Sequence, residues 1–154
     1  MIRFLEEYKR NGINVWGLST GNEPVNAYVP FDRLNVMAWT PETVSDWVAN
    51  FAGPMLENSE FNETNIFLLD DQRFELPWVA RLVFRNPKAK HYISGIGVHW
   101  YFDRFFPATI LDNTHNLAPD KFILMTEACT GKLFINKYYY LRIVAIVYRT
   151  YIRS

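Results

Sequence analysis

The 154-residue sequence contains a single cysteine, Cys129, so no disulfide can form within the chain. Its three histidines, His91, His99 and His115, fall in no HExxH or Cys/His pattern, and neither a metal nor any other cofactor is expected. Charge of one sign is lacking too: 16 Lys and Arg balance 16 Asp and Glu, for a formal net charge of zero. A protein that binds phosphate backbone through counterion release needs clustered positive charge, so nucleic acid is not an expected partner. MIRFLEEYKR is charged from its third residue and has no apolar core of the length a secretory leader requires. The expectation is a cytosolic chain, or one whose N-terminus is missing. Long apolar runs are absent as well. Tyr138 to Ile152 is mostly apolar, but a spanning helix needs about 20 residues, and Arg142 and Arg149 would be costly at the bilayer centre. No transmembrane segment is expected. What the chain does have is apolar and aromatic bulk, 49% hydrophobic and 17% aromatic, which is a folded core and not disorder. Its length allows one domain of ordinary size.

Four short runs rich in β-branched and aromatic residues read as buried parallel strands: Asn14 to Ser19, Asn65 to Asp70, Tyr92 to Val98 and Lys121 to Thr126. Gly95 and Gly97 count against the third. Helical patterns separate them. Residues 2 to 10 form one helix before Gly12. Thr40 caps another, with Pro41 at its first position, Glu42 in the first turn and Val44, Trp47, Val48 and Phe51 on one face. Gly53-Pro54 is expected to disrupt or end it. A third starts at Pro77 and carries Trp78, Val79, Leu82 and Val83. This alternation, with one long insertion after the first strand, predicts right-handed βα units and a parallel α/β fold.

Polar and aromatic groups follow every strand: Gly21-Asn22-Glu23-Pro24, Asp70-Asp71-Gln72-Arg73, His99-Trp100-Tyr101 and Glu127-Ala128-Cys129. In open α/β sheets and in (β/α)8 barrels, the carboxyl ends of the strands form the rim where ligands bind. One such carboxylate alone could be a helix cap or a loop ion pair; four such endings in succession point to a site. Glu23 and Glu127, at the ends of different strands, meet the requirement of glycoside hydrolysis for two carboxyl groups, one protonated and one ionised. Trp100 and Tyr101 offer π-surfaces on which the C–H bonds of a sugar ring can pack, with simple loop packing as the alternative.

Four blocks together carry a family resemblance: Val15 to Pro24, Leu68 to Arg73, Gly97 to Tyr101 and Thr126 to Cys129. Over roughly residues 1 to 134 the chain resembles the glucosylceramidases, the acid β-glucosidases of glycoside hydrolase family 30. The resemblance implies a (β/α)8 TIM barrel of which this chain holds about strands four to seven. It implies that Glu23 is the acid/base and Glu127 the nucleophile of a retaining mechanism, that Asn22 hydrogen-bonds the sugar 2-hydroxyl, and that Trp100 and Tyr101 border the pocket. The implied substrate is glucosylceramide and the implied location the lysosome. An activator protein and an anionic lipid surface are implied as partners of the full-length protein. The two carboxyl groups should then lie about 5 to 5.5 Å apart, as retention requires, which strands four and seven allow only if the sheet curves.

A complete barrel needs about 250 residues, so residues 1–134 are expected to form a partial barrel domain with open sheet edges. Residues 135–154 diverge from the family pattern as an apolar tail. Asn62-Glu63-Thr64 is a glycosylation acceptor pattern, and Cys129 reads as a packed, reduced thiol. Two other readings compete with an active glycosidase. One is a catalytically inactive truncated remnant, serving at most as an interaction module through its unclosed edges. The other is an α/β domain with an unrelated ligand.

Overall fold

The computed structural model describes residues 1–29 and 35–128; Cys129 and the tail 135–154 lie outside the described residues. Four parallel strands, β1 (Gly17–Ser19), β2 (Asn65–Gln72), β3 (Ile93–His99) and β4 (Phe122–Glu127), form one sheet in the order β1-β2-β3-β4. It is a curled half-barrel, each strand pairing with the next in sequence. The first strand is shorter than its apolar run, because only Gly17 to Ser19 find partners, at Asn65 to Phe67.

Alternation along the strands sorts residues between two faces. Ile66, Leu68, Ile96 and Val98 are buried in the core, with Leu18, Ile123 and Met125 packed against it. On the opposite parity, Phe67 and Phe122 form an aromatic cluster with Trp16, whose ring centroid lies 5.3 Å from that of Phe122. Trp16 is 58% exposed, on the face that further strands would cover in a closed barrel. The two glycines of β3 fit this layering. A Cβ on Gly95 would stand 2.1 Å from the Phe122 ring, and one on Gly97 3.1 Å from the Thr126 side chain, so both are glycine because side chains of β4 cross over them.

Helix α1 (Ile2–Arg10) precedes β1, and α2 (Pro41–Trp47), α3 (Gly53–Glu57), α4 (Trp78–Val83), α5 (Pro87–Tyr92) and α6 (Thr109–Leu117) lie in the connections. Among the described residues none is long and apolar enough to cross a membrane. At α2, Thr40 and Thr43 exchange hydrogen bonds, Thr43 N–H to Thr40 Oγ1 at 3.2 Å and Thr40 N–H to Thr43 Oγ1 at 2.9 Å, and Pro41 opens the first turn. The expected apolar face holds at Val44 and Val48 but fails at Phe51, which is 61% exposed. Residues Val48–Ala52 form a π turn, closed by the Gly53 N–H on Val48 O, which rotates Ala49 and Ala52 into the core and Phe51 out of it. Gly53-Pro54 therefore does not end the helical run; Pro54, with no N–H to give, sits in the first turn of α3.

Gly53 is glycine because Tyr92 lies on it: an added Cβ would be 2.1 Å from the ring. The Tyr92 hydroxyl donates to Glu57 at 2.7 Å, which limits how far the ring can move. Gly53→Ala gains about 1 kcal/mol of helix propensity and loses about 1–3 kcal/mol to overpacking. The expected outcome is a lower urea midpoint; an unchanged or higher one would show that Tyr92 yields freely.

Candidate active site

The site begins with backbone strain at the carboxyl ends of β1 and β2. Leu69 pairs with Gly97 and Asp71 with Val98, leaving Asp70 as the extra residue of a bulge. Leu69 and Asp70 have φ of 77° and 56°, and Glu23, just after β1, has φ 44°. Left-handed backbone at three non-glycine residues is costly and persists only where surroundings hold it. Here the Glu23 N–H donates to Asp70 O at 3.0 Å, so the two strained turns brace each other.

These turns aim the side chains at His99, the last residue of β3. His99 is 1% exposed and bonded on both sides, Nδ1 to Glu23 Oε1 at 3.0 Å and Nε2 to Asp70 Oδ1 at 3.2 Å. Glu23 Oε1 also accepts from Gln72 Nε2 at 2.9 Å, and its Oε2 from Asn26 Nδ2 at 2.7 Å. Glu127, at the end of β4, accepts from the Tyr101 hydroxyl at 2.6 Å. One ligand-type atom from each of Glu23, His99 and Glu127 can be chosen so that all lie within 4.8 Å of one another.

Burial opposes a charge on His99, but hydrogen bonds to Asp70 and Glu23 and the fields of Asp70 and Glu127 outweigh it and push its pKa up to about 9. It is therefore imidazolium at neutral pH, with both ring nitrogens donating. A cation shared by Glu23, His99 and Glu127 would first have to displace that proton. Asp70 is buried against its charge, yet hydrogen bonds with His99, Ser19 and Thr126 and the His99 charge hold its carboxyl below the ordinary value. Asp71 goes the other way. Burial raises it and the Glu23 charge adds to this, against the backbone N–H groups of Gln72 and Val25. Behind it, burial and then the charge and hydrogen bond of Asp71 push Glu75 up to about 8.

Stability should follow these protons. The fold holds the His99 proton more tightly than an unfolded chain with pKa 6.5 would, so its contribution is complete below that value and lost as pH rises through about 9. Glu75 acts in the same direction, from its ordinary 4.5 up to about 8. Asp70, whose pKa is lowered, contributes above 3.8 and loses that only as the solution is acidified. Unfolding free energy measured by denaturant should therefore fall between weakly acidic and alkaline pH, by on the order of 3 kcal/mol for His99 alone. His99→Gln should flatten the part of the decline between pH 6.5 and about 9; a rise in stability across that window would contradict the assignment.

Of the residues singled out in the sequence, Glu23, Glu127 and Tyr101 come together. Asn22 is exposed beside Glu23 and Trp100 half-buried after β3, and among the described residues neither hydrogen-bonds the cluster. The sequence placed Asp70, Gln72 and His99 among the polar strand ends without giving any of them a role, and Asn26 was not singled out. For His99 a signal existed, since Gly95, Gly97 and His99 share one parity and so one face. For Asn26 none did, because a 3-10 turn (Pro24–Tyr28) places it, and nothing marked Asp70 as a partner of His99, because a bulge sets its direction.

Comparison with known proteins bears on the family and the fold. The glycosyl hydrolase family 30 TIM-barrel domain matches residues 1–142. The lysosomal acid glucosylceramidase of Mus musculus is 36% identical over 134 residues, 86% of this chain and 26% of that protein. Among solved structures, SrfJ from Salmonella typhimurium superposes with a TM-score of 0.73 at 29% identity, over 83% of this chain and 27% of that one. An endo-β1,6-glucanase shares the fold with a TM-score of 0.72 at 22% identity, over 85% and 28% of the two chains. The chain spans about a quarter of the length of the curated relatives it matches.

Proposed function

The chain belongs to glycosyl hydrolase family 30, and from that premise we propose that it carries the two working carboxylates of a retaining β-glucosidase which, in the complete protein, splits glucosylceramide into glucose and ceramide. Glu127 attacks the anomeric carbon while Glu23 gives its proton to the departing glycosidic oxygen, so one C–O bond forms as another breaks. Glu23 then takes a proton from water, whose oxygen displaces Glu127 and restores both groups. Asn22 meets the 2-hydroxyl, and Trp100 and Tyr101 border the sugar.

The observation that supports this best is the closeness of Glu23 and Glu127 across four strands, with oxygens within 4.8 Å. An approach this close favours a retaining pair, about 5 to 5.5 Å apart, over an inverting one, at roughly 6.5 to 9.5 Å. Tyr101 fixes the rotamer of Glu127, and Gln72, Asn26 and His99 fix that of Glu23. The relative's printed name favours a lysosomal setting, and the pH dependence expected of His99 and Glu75 favours weakly acidic conditions. An activator protein and an anionic lipid surface belong to the same reading, as partners of the complete protein. The test substitutes Glu23→Gln and Glu127→Gln separately in a complete barrel carrying this segment and compares substrates with good and poor leaving groups.

A further inference from the structure

Asp71, near the end of β2, is 0% exposed, so it cannot touch a substrate. Its two carboxyl oxygens nevertheless reach both parts of the chain that hold Glu23. Oδ2 accepts from the Val25 N–H at 3.2 Å and Oδ1 from the Gln72 N–H at 2.7 Å. Val25 lies in the 3-10 turn that Glu23 opens, and the Gln72 side chain donates to Glu23 Oε1 at 2.9 Å. From behind, Glu75 keeps its proton at neutral pH and hydrogen-bonds Asp71.

Glu23 has φ 44°, a conformation that a non-glycine residue keeps only where its neighbours hold it. Two anchors to β2 straddle it: its own N–H on Asp70 O at 3.0 Å, and the Val25 N–H on the Asp71 carboxyl. The first joins backbone to backbone, whereas the second depends on the Asp71 side chain. We propose that Asp71 is a positioning residue for Glu23, fixing through Val25 and Gln72 where the Glu23 carboxyl stands against the glycosidic oxygen. This rests on the reading of Glu23 as the acid/base. Asp71→Asn keeps the shape of the group but leaves one acceptor oxygen, so its NH2 must face the N–H of either Val25 or Gln72. A buried donor set against a donor is costly, and the turn or the Gln72 strand end must shift to relieve it. Displacements of about 1 Å can cost roughly 10²-fold in rate.

The test places Asp71→Asn in a complete barrel carrying this segment and measures kcat/KM on an alkyl β-glucoside, whose leaving oxygen needs a proton, and on a dinitrophenyl glucoside, whose leaving oxygen does not. This ratio reports the steps up to the glycosyl-enzyme, in which Glu23 acts only as the acid. The alkyl glucoside should lose at least about tenfold and the dinitrophenyl glucoside at most about threefold. A merely structural role would lower both alike, so equal losses, or no loss, would overturn the proposal. Should Asp71→Asn not fold, α-hydroxyvaline in place of Val25 decides, because the resulting ester removes the N–H and leaves every side chain in place. It should cost the alkyl glucoside at least about threefold more than the dinitrophenyl glucoside; equal or absent losses would overturn the proposal. Glu23→Gln, measured alongside, separates the two claims. Unequal losses there with equal or absent losses in Asp71→Asn overturn the positioning role alone, while equal losses in Glu23→Gln overturn the acid/base reading and the proposal with it.

Discussion

Glu127→Gln in a complete barrel carrying this segment should reduce β-glucosidase turnover by at least about 10⁴-fold, the scale on which loss of a covalent nucleophile acts. The amide keeps the shape of the carboxylate and can still meet the Tyr101 hydroxyl, now 2.6 Å from Oε1. What it removes is the negative charge that makes the oxygen a nucleophile toward the anomeric carbon, so the loss in forming the glycosyl-enzyme should appear with every leaving group. Glu23→Gln removes a proton donor and should cost about 10² to 10⁴-fold on a poor leaving group. With a dinitrophenyl glucoside, whose leaving oxygen needs no proton, bond cleavage should be much less affected and breakdown of the glycosyl-enzyme should limit the rate. Steady-state and burst kinetics on the two variants check this contrast. Equal losses on both substrates in Glu23→Gln, or leaving-group dependence in Glu127→Gln, would exchange or abolish the two roles.

The 154-residue chain alone should show no useful turnover, and its monomer should compete poorly with self-association. Among the described residues β1 and β4 are the edge strands, and β1 pairs over only three residues, so within that part of the chain the outer backbone donors and acceptors of both strands find no ladder partner. The exposed Trp16, with Phe67 and Phe122, adds an apolar patch on the open face. The oxocarbenium-like transition state needs fixed dipoles and water exclusion on all sides of the sugar, whereas this half-barrel surrounds it from one. Errors of about 1 Å in positioning can cost roughly 10²-fold. Assay of monodisperse protein with an activated aryl β-glucoside checks the expectation. Turnover abolished by Glu127→Gln would show that four βα units suffice.

Much of this architecture is legible in the sequence because parallel strands and their endings leave short-range marks. The apolar runs located β2, β3 and β4 to within a few residues, and the polar groups after them marked the rim that carries Glu23 and Glu127. Elements set by long-range packing left none. Phe51 follows the helical spacing of Val44 and Val48, yet the π turn before Gly53 swings it to solvent. The bulge at Asp70 depends on pairing with β3, residues distant in sequence, and with it goes the His99 bridge between Asp70 and Glu23. Gly95 and Gly97 illustrate the same limit, since their reason lies in the side chains of β4.

The claim at the centre of this account is that Glu127 forms a covalent bond to glucose. A fluorine at the sugar 2-position slows both steps by destabilising the oxocarbenium-like transition state, and a fluoride leaving group restores the first, so the glycosyl-enzyme accumulates. A complete barrel carrying residues 1–128, treated with 2-deoxy-2-fluoro-β-glucosyl fluoride and digested, should carry one added fluoroglucosyl group on the peptide containing Glu127, mapped by fragmentation to that carboxylate. Inactivation with the sugar on Glu23 or any other residue, or turnover with no covalent adduct at all, would contradict it.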